Sequence, residues 1–140
     1  LKFFSVIYRR AQMHLDRELK DYNIRAGQVP ILRILDLEDG ITQDDIKSLL
    51  HMDKGALAKT IKPLITEGYI IRQTKTEDRR AYRVMLTKKG RNIMPHLSEI
   101  IAKWINVLTS GLTKEEAETA FNLLSHMSEN AFSYIEKLKK

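Results

Sequence analysis

At 140 residues, 43% hydrophobic and 30% charged, the chain has the make-up of one folded domain and not of a disordered polymer. It has no cysteine, which excludes disulfides, thiolate zinc sites, a cysteine nucleophile and thiol-based redox sensing. The net charge of +6 is concentrated: residues 51–91 hold 11 Lys or Arg against 4 Asp or Glu, and the remaining 99 residues hold 13 against 14. A basic segment of this kind suits a polyanion, with nucleic acid the first candidate.

No apolar run approaches the roughly 20 residues that cross a bilayer. No basic-then-apolar leader opens the sequence, so no membrane contact and a cytoplasmic location are expected. His14, His51, His96 and His126 make no ligand pair at helical spacing, and neither a metal nor another cofactor is expected. There is no glycine-rich phosphate loop and no nucleophile motif. The acid pairs Asp44-Asp45 and Glu115-Glu116 fall at expected helix starts, where the helix dipole favours them. The chain does not read as an enzyme.

In chain order, residues 1–22 predict an amphipathic helix, with Phe4, Ile7, Tyr8, Ala11, Leu15 and Leu19 at three- and four-residue steps. A second helix runs to about Leu37, with Pro30 in its first turn, where a missing N–H costs nothing. Thr42 followed by Asp45 predicts a capping box opening a short third helix, with Ile46, Leu49 and Leu50 as its buried side. His51-Met52-Asp53 is a tight connection, and Asp53 is the expected N-cap of a fourth helix. Two short helices joined this closely suit a helix-turn-helix.

In the fourth helix Leu57, Ile61, Leu64 and Ile65 form an apolar stripe. Projected at about 100° per residue, the opposite face carries Gly55, Ala56, Lys59 and Lys62. Small residues beside long cations let a helix approach a groove closely while neutralising phosphates. Gly68 is a natural stop, and Pro63 predicts a bend or one lost hydrogen bond. Tyr69–Lys75 and Tyr82–Thr87 read as the strands of a hairpin around a charged turn.

Thr87 is expected to cap a fifth helix with apolar residues Ile93, Leu97, Ile100, Ile101, Trp104, Ile105 and Leu108, kinked at Pro95. Thr113 with Glu116 predicts a second capping box. The last helix places Ala117, Phe121, Leu124, Met127, Ala131, Ile135 and Leu138 about every 3.5 residues, the period of a helix-pairing seam. The terminal helices either cover one another or pair with a second copy of the chain, and a symmetric homodimer is the expected solution.

Asp78-Arg79-Arg80-Ala81-Tyr82-Arg83-Val84-Met85-Leu86-Thr87-Lys88-Lys89-Gly90 resembles the wing signature of the MarR/SlyA family of winged helix-turn-helix regulators. That signature is Asp-x-Arg, five residues, then Leu-Thr-x-x-Gly. Leu64-Ile-Thr-Glu-Gly-Tyr-Ile-Ile71 is similar to the family's step from helix end into strand, and Gly27-Gln-Val-Pro-Ile-Leu32 to the start of its second helix. The resemblance covers essentially the whole chain.

It implies a mainly α fold with a small β-hairpin: two helices, a short strand, two helices, a strand, the wing, a strand and two long helices. Residues 1–140 would form a single domain, with 27–90 a DNA-binding lobe and with 1–22 and 91–140 a helical dimerisation region. The helix from Asp53 to Glu67 would enter the major groove of a pseudo-palindromic operator. Asp53, Lys54, Gly55, Ala56, Lys59, Thr60 and Lys62 would lie at that interface. Lys75, Asp78, Arg79 and Arg80 would form the wing contact, with Asp78 orienting Arg80 towards the minor groove. Pro63, and the small residues Gly55 and Ala56, depart from a strongly base-reading helix.

Lys54, Lys59, Lys62, Lys75 and Arg79 suit phosphates, although Lys59, helped by Thr60, could instead read a guanine edge. Arg80 in a narrow minor groove would read shape more than base identity. The expected function is a sequence-specific duplex-DNA-binding transcriptional regulator, a repressor acting as a homodimer. The resemblance further implies release by a small aromatic or phenolic acid, for which Tyr8, His14 and Arg17 are the candidate contacts. The alternative is a winged-helix module that contacts only protein.

Overall fold

The computed structural model describes residues 1–74 and 82–138. The chain divides into two compact units, Leu1–Trp104 and Ile105–Lys140. In chain order the elements are α1 (Lys2–Glu18), α2 (Val29–Leu37), β1 (Ile41–Thr42), α3 (Gln43–Leu50), α4 (Lys54–Thr66), β2 (Ile70–Thr74), β3 (Tyr82–Leu86), α5 (Lys88–Leu108) and α6 (Lys114–Leu138). Short 3₁₀ turns at Lys20–Tyr22 and Ala26–Gln28 link α1 to α2.

α1 is shorter than its periodicity suggests. The chain leaves the helix at Leu19, tightens, and passes Asn23 at φ 54°. This turn delivers Leu19 and Ile24 into the core, where both are fully buried. Pro30 sits in the first turn of α2 as expected. In α3 the Thr42 hydroxyl accepts from the Asp45 N–H at 3.1 Å, and the Asp45 carboxylate accepts from the Thr42 N–H at 2.9 Å. Those two bonds satisfy orphan donors at the helix start.

The buried side of α3 is narrower than predicted. Ile46 is fully buried and Leu50 packs against the core, but Leu49 is 52% exposed. Relative to Ile46, Leu49 points about 60° to one side and Leu50 about 40° to the other. A helix of eight residues covers only one of those flanks.

The three strands form an antiparallel sheet in the order β1–β3–β2. Ile70 lies opposite Leu86, Arg72 opposite Val84 and Thr74 opposite Tyr82, so one face carries Ile70, Val84 and Leu86 into the core. There they join Ile31, Leu32 and Leu35 of α2, Ile46 of α3, Leu57, Ile61 and Leu64 of α4, and Ile93, Met94, Leu97 and Ile100 of α5. Full burial of one such side chain is worth about 1.5–3 kcal/mol, so this cluster fixes where α4 and the hairpin stand.

α5 passes through Pro95 as one helix, with Thr87 capping it through the Gly90 N–H at 3.0 Å. α6 opens with the second predicted capping box, Thr113 N–H to the Glu116 carboxylate at 2.7 Å and Glu116 N–H to the Thr113 hydroxyl at 3.2 Å. The hydrogen bonds from Thr113 hold the Glu116 carboxyl below its ordinary range. Neither α1 nor α6 contains a buried residue.

Candidate nucleic-acid interface

The connection between α3 and α4 is built from local bonds. His51 adopts a left-handed conformation, φ 53°, and Met52 N–H returns to the Lys47 carbonyl at 3.0 Å. Asp53 then opens α4, its carboxylate accepting from the Ala56 N–H at 2.8 Å. Asp53 therefore has a structural duty at this surface. A side chain at Gly55 would crowd that carboxylate, since its Cβ would lie 3.3 Å from Asp53 Oδ1. A side chain here would ask the capping carboxylate to give by a few tenths of an ångström.

Leu57, Ile61 and Leu64 bury one side of α4, and Ile65 packs beside them. This turns Lys54, Gly55, Ala58, Lys59, Lys62, Pro63 and Thr66 to the exposed side. Ala56 and Thr60 are half-buried at its margin, and the Thr60 hydroxyl is bonded to the Ala56 carbonyl at 2.8 Å. Among the described residues Lys54, Lys59 and Lys62 make no ion pair or hydrogen bond through their ammonium groups. Three cations from three turns of helix thus stand unpaired on one exposed surface.

The cations around the hairpin root behave differently. Arg83 donates to the Gly40 carbonyl at 3.1 Å, and the Arg72 guanidinium stands 5.9 Å from the centre of the Tyr82 ring. Arg91 pairs with Asp39 at 2.7 Å, while the other Asp39 oxygen accepts from the Leu86 N–H at 3.2 Å. Asp39 therefore continues, with a side chain, the edge that the two-residue β1 leaves open on β3. Lys89 donates to the Glu67 carbonyl at 2.6 Å, and its ammonium lies 4.3 Å from the Tyr69 ring centre.

The same region explains the Leu-Thr-x-x-Gly signature physically. The Thr87 hydroxyl donates to the Gly68 carbonyl at 2.6 Å and accepts from Gly90 N–H, and Thr87 N–H donates to the Tyr69 carbonyl at 3.0 Å. A Cβ at Gly90 would overlap that Tyr69 carbonyl oxygen. Gly68, at φ 76°, supplies the left-handed turn from α4 into β2. The signature joins the end of the fourth helix to the start of the fifth.

Lys75, Asp78, Arg79 and Arg80 lie outside the described residues. Of the three proposed ligand contacts on α1, Tyr8 and Arg17 are exposed and sit about half a turn apart around the helix. His14 is half-buried, stacked on Trp104 at 5.3 Å between ring centres, with Nε2 3.3 Å from the Ile100 carbonyl. Within one chain these three do not converge on one point. Sequence reasoning passed over Asp39, Tyr69, Arg72, Arg83 and Lys89. Strand alternation sets Arg83 on the face away from Val84 and Leu86, but nothing local marked its partner or those of the other four.

A helix-turn-helix with a sheet-borne hairpin behind it defines a winged-helix protein. A family model described as the MarR family matches residues 24–82. The crystal structure of a MarR transcriptional regulator from Methanosarcina mazei Go1 is 36% identical, with 95% of this chain and 89% of that chain covered and a TM-score of 0.86. The HTH-type transcriptional regulator YybA of Bacillus subtilis (strain 168) is 27% identical over 140 residues, covering 100% of this chain and 93% of that protein. A mutant MarR from E. coli, complexed with operator DNA, is 25% identical, with 90% and 91% covered and a TM-score of 0.80.

The chain belongs to the MarR family. It is thus a DNA-binding transcriptional regulator and not an enzyme. No helix among the described residues is long and apolar enough to cross a membrane.

Proposed function

We propose that the chain binds a pseudo-palindromic operator as a homodimer and represses transcription by occupying it. α4 enters the major groove through Asp53, Lys54, Gly55, Ala56, Lys59, Thr60 and Lys62. The wing, through Lys75, Asp78, Arg79 and Arg80, follows the adjacent backbone and minor groove. The observation that carries this reading is the exposed face of α4, where Lys54, Lys59 and Lys62 are unpaired among the described residues, beside the bare backbone of Gly55. The operator complex of the E. coli relative supports the same class of ligand.

The dimer reading rests on the apolar side chains that one chain leaves uncovered. Phe3, Phe4 and Ile7 of α1, and Phe121, Leu124, Met127 and Ile135 of α6, are all exposed. On this proposal residues 27–90 form the DNA-binding lobe, and 1–22 with 91–140 the dimerisation region. Two recognition helices about 34–36 Å apart would meet successive major grooves on one face of the duplex.

Release follows from a small aromatic or phenolic acid that prefers the dimer unable to bind DNA, since a ligand shifts an equilibrium only by its differential affinity. The contacts proposed on α1 are Tyr8, His14 and Arg17, and by their directions they serve different subsites. Selection of bound sequences from random duplex DNA tests the central reading. Two inverted half-sites about one helical turn apart are expected, and an enriched single half-site or no enrichment contradicts it. Benzoate and hydroxybenzoates should release the bound duplex; retention across that set contradicts the effector reading.

A further inference from the structure

Three basic residues, Lys88, Lys89 and Arg91, occupy the first turn of α5, which contains no acid. This opposes the helix dipole, whose positive end favours acids there. A local rule broken in this way points to a use elsewhere in the fold, and for Lys89 the structure supplies it. Its ammonium donates to the Glu67 carbonyl, one of the orphan acceptors at the C-terminus of α4, at 2.6 Å. It also lies 4.3 Å from the centre of the Tyr69 ring, in the range of a cation–π contact.

α4 needs such support. Pro63 has no N–H, so the Lys59 carbonyl loses its intrahelical donor and α4 reaches its end with one ladder bond fewer. The exit from α4, residues 67–69, is gripped from two directions. On the α5 side are Lys89 and Thr87. On the side of the turn after α1, Asn23 donates to the Glu67 carboxylate at 3.3 Å, and the Tyr69 hydroxyl donates to the Tyr22 carbonyl at 2.7 Å. Burial, and next the nearby Glu67 carboxylate, push the Tyr69 phenol above its ordinary range and keep it a donor.

We propose that Lys89 is a positioning residue for DNA recognition: it does not contact phosphate, and it holds the proline-weakened end of the recognition helix against α5. The inference rests on the reading that α4 is the DNA-reading element. Because Tyr22 and Lys89 adjoin α1 and α5, the attitude of α4 follows those helices through this latch. One basic residue within the positively charged segment is thereby withdrawn from the phosphate-binding set.

The test compares Lys89→Met and Lys59→Met in operator binding over a salt titration, with hydrogen exchange measured on the free proteins. Lys89→Met should weaken binding about tenfold, the worth of one charge-assisted hydrogen bond, with the salt slope unchanged. Lys59→Met should instead make the slope shallower by about 0.9 per site. In Lys89→Met, without DNA, the amides of Gly68 and Tyr69, bonded to Ile65 and Leu64, should exchange about tenfold faster while those of α2 do not.

A slope loss in Lys89→Met equal to that in Lys59→Met, or unchanged exchange at Gly68 and Tyr69, overturns the proposal. If Lys89→Met does not fold, Lys89→Gln serves in its place. If the wild-type protein binds no duplex, the reading of α4 fails by itself, and the exchange arm still decides whether Lys89 holds the helix end.

Discussion

The exposed face of α4 and the root of the hairpin are both basic in sequence and opposite in structure. On α4, Lys54, Lys59 and Lys62 have no partner among the described residues. At the root, Arg83, Arg91 and Lys89 are bonded to a carbonyl, a carboxylate and a helix end, and Arg72 lies near an aromatic ring. Charge density alone therefore overstates the binding surface. What distinguishes a reader from a frame is whether each cation still has its hydrogen-bonding capacity free.

The sharpest way to break the frame is at Gly90, where any side chain meets backbone and not a yielding side-chain tip. Gly90→Ala should destabilise the fold by about 1–3 kcal/mol, read as a lower denaturant midpoint at unchanged slope. A neutral result would show that α5 and β2 can separate freely. The largest effect on binding should come from the wing, with Arg80→Ala weakening operator affinity more than Lys62→Ala; equal losses in a competition assay contradict that division of labour.

Replacing Lys59 and Lys62 together by Ala should lower the salt slope by roughly 1.8 per protomer without shifting the thermal midpoint appreciably. Asp39→Ala, a change to the frame, should do the reverse. It lowers stability by about 0.5–1 kcal/mol, because the pair with Arg91 is half-exposed and screened, and it leaves the slope as it was.

The smallest effect belongs to the α6 cap. The Glu116 carboxyl is lowered in the folded chain, so its contribution is present above the unfolded carboxylate range and is lost as pH falls through the folded value. Glu116→Gln should flatten that part of an acid-melting profile; an identical profile would show that the cap contributes nothing.

Much of the frame was legible because its bonds are local. Thr42 with Asp45, Asp53 with Ala56, and Thr113 with Glu116 all span three residues, and a spacing in the sequence announces each of them. Leu49 misled, because an apolar residue at helical spacing does not reveal how wide a face its neighbours will cover.

The latch was not legible for the opposite reason. Lys89 meets Glu67 across 22 positions, Thr87 meets Gly68 across 19, and Arg91 meets Asp39 across 52. Nothing near Lys89 in sequence separates it from Lys88. The Leu-Thr-x-x-Gly motif carried the information as a resemblance, and the fold supplies its cause.

The most direct measurement is the salt dependence of binding to the selected duplex. With three lysines on α4 unpaired among the described residues, the proposed homodimer would release at least about six counterions, giving a slope of log affinity against log salt near −5 or steeper. A slope near zero, or no binding at low ionic strength, would contradict the account and leave the winged helix as a surface for protein alone.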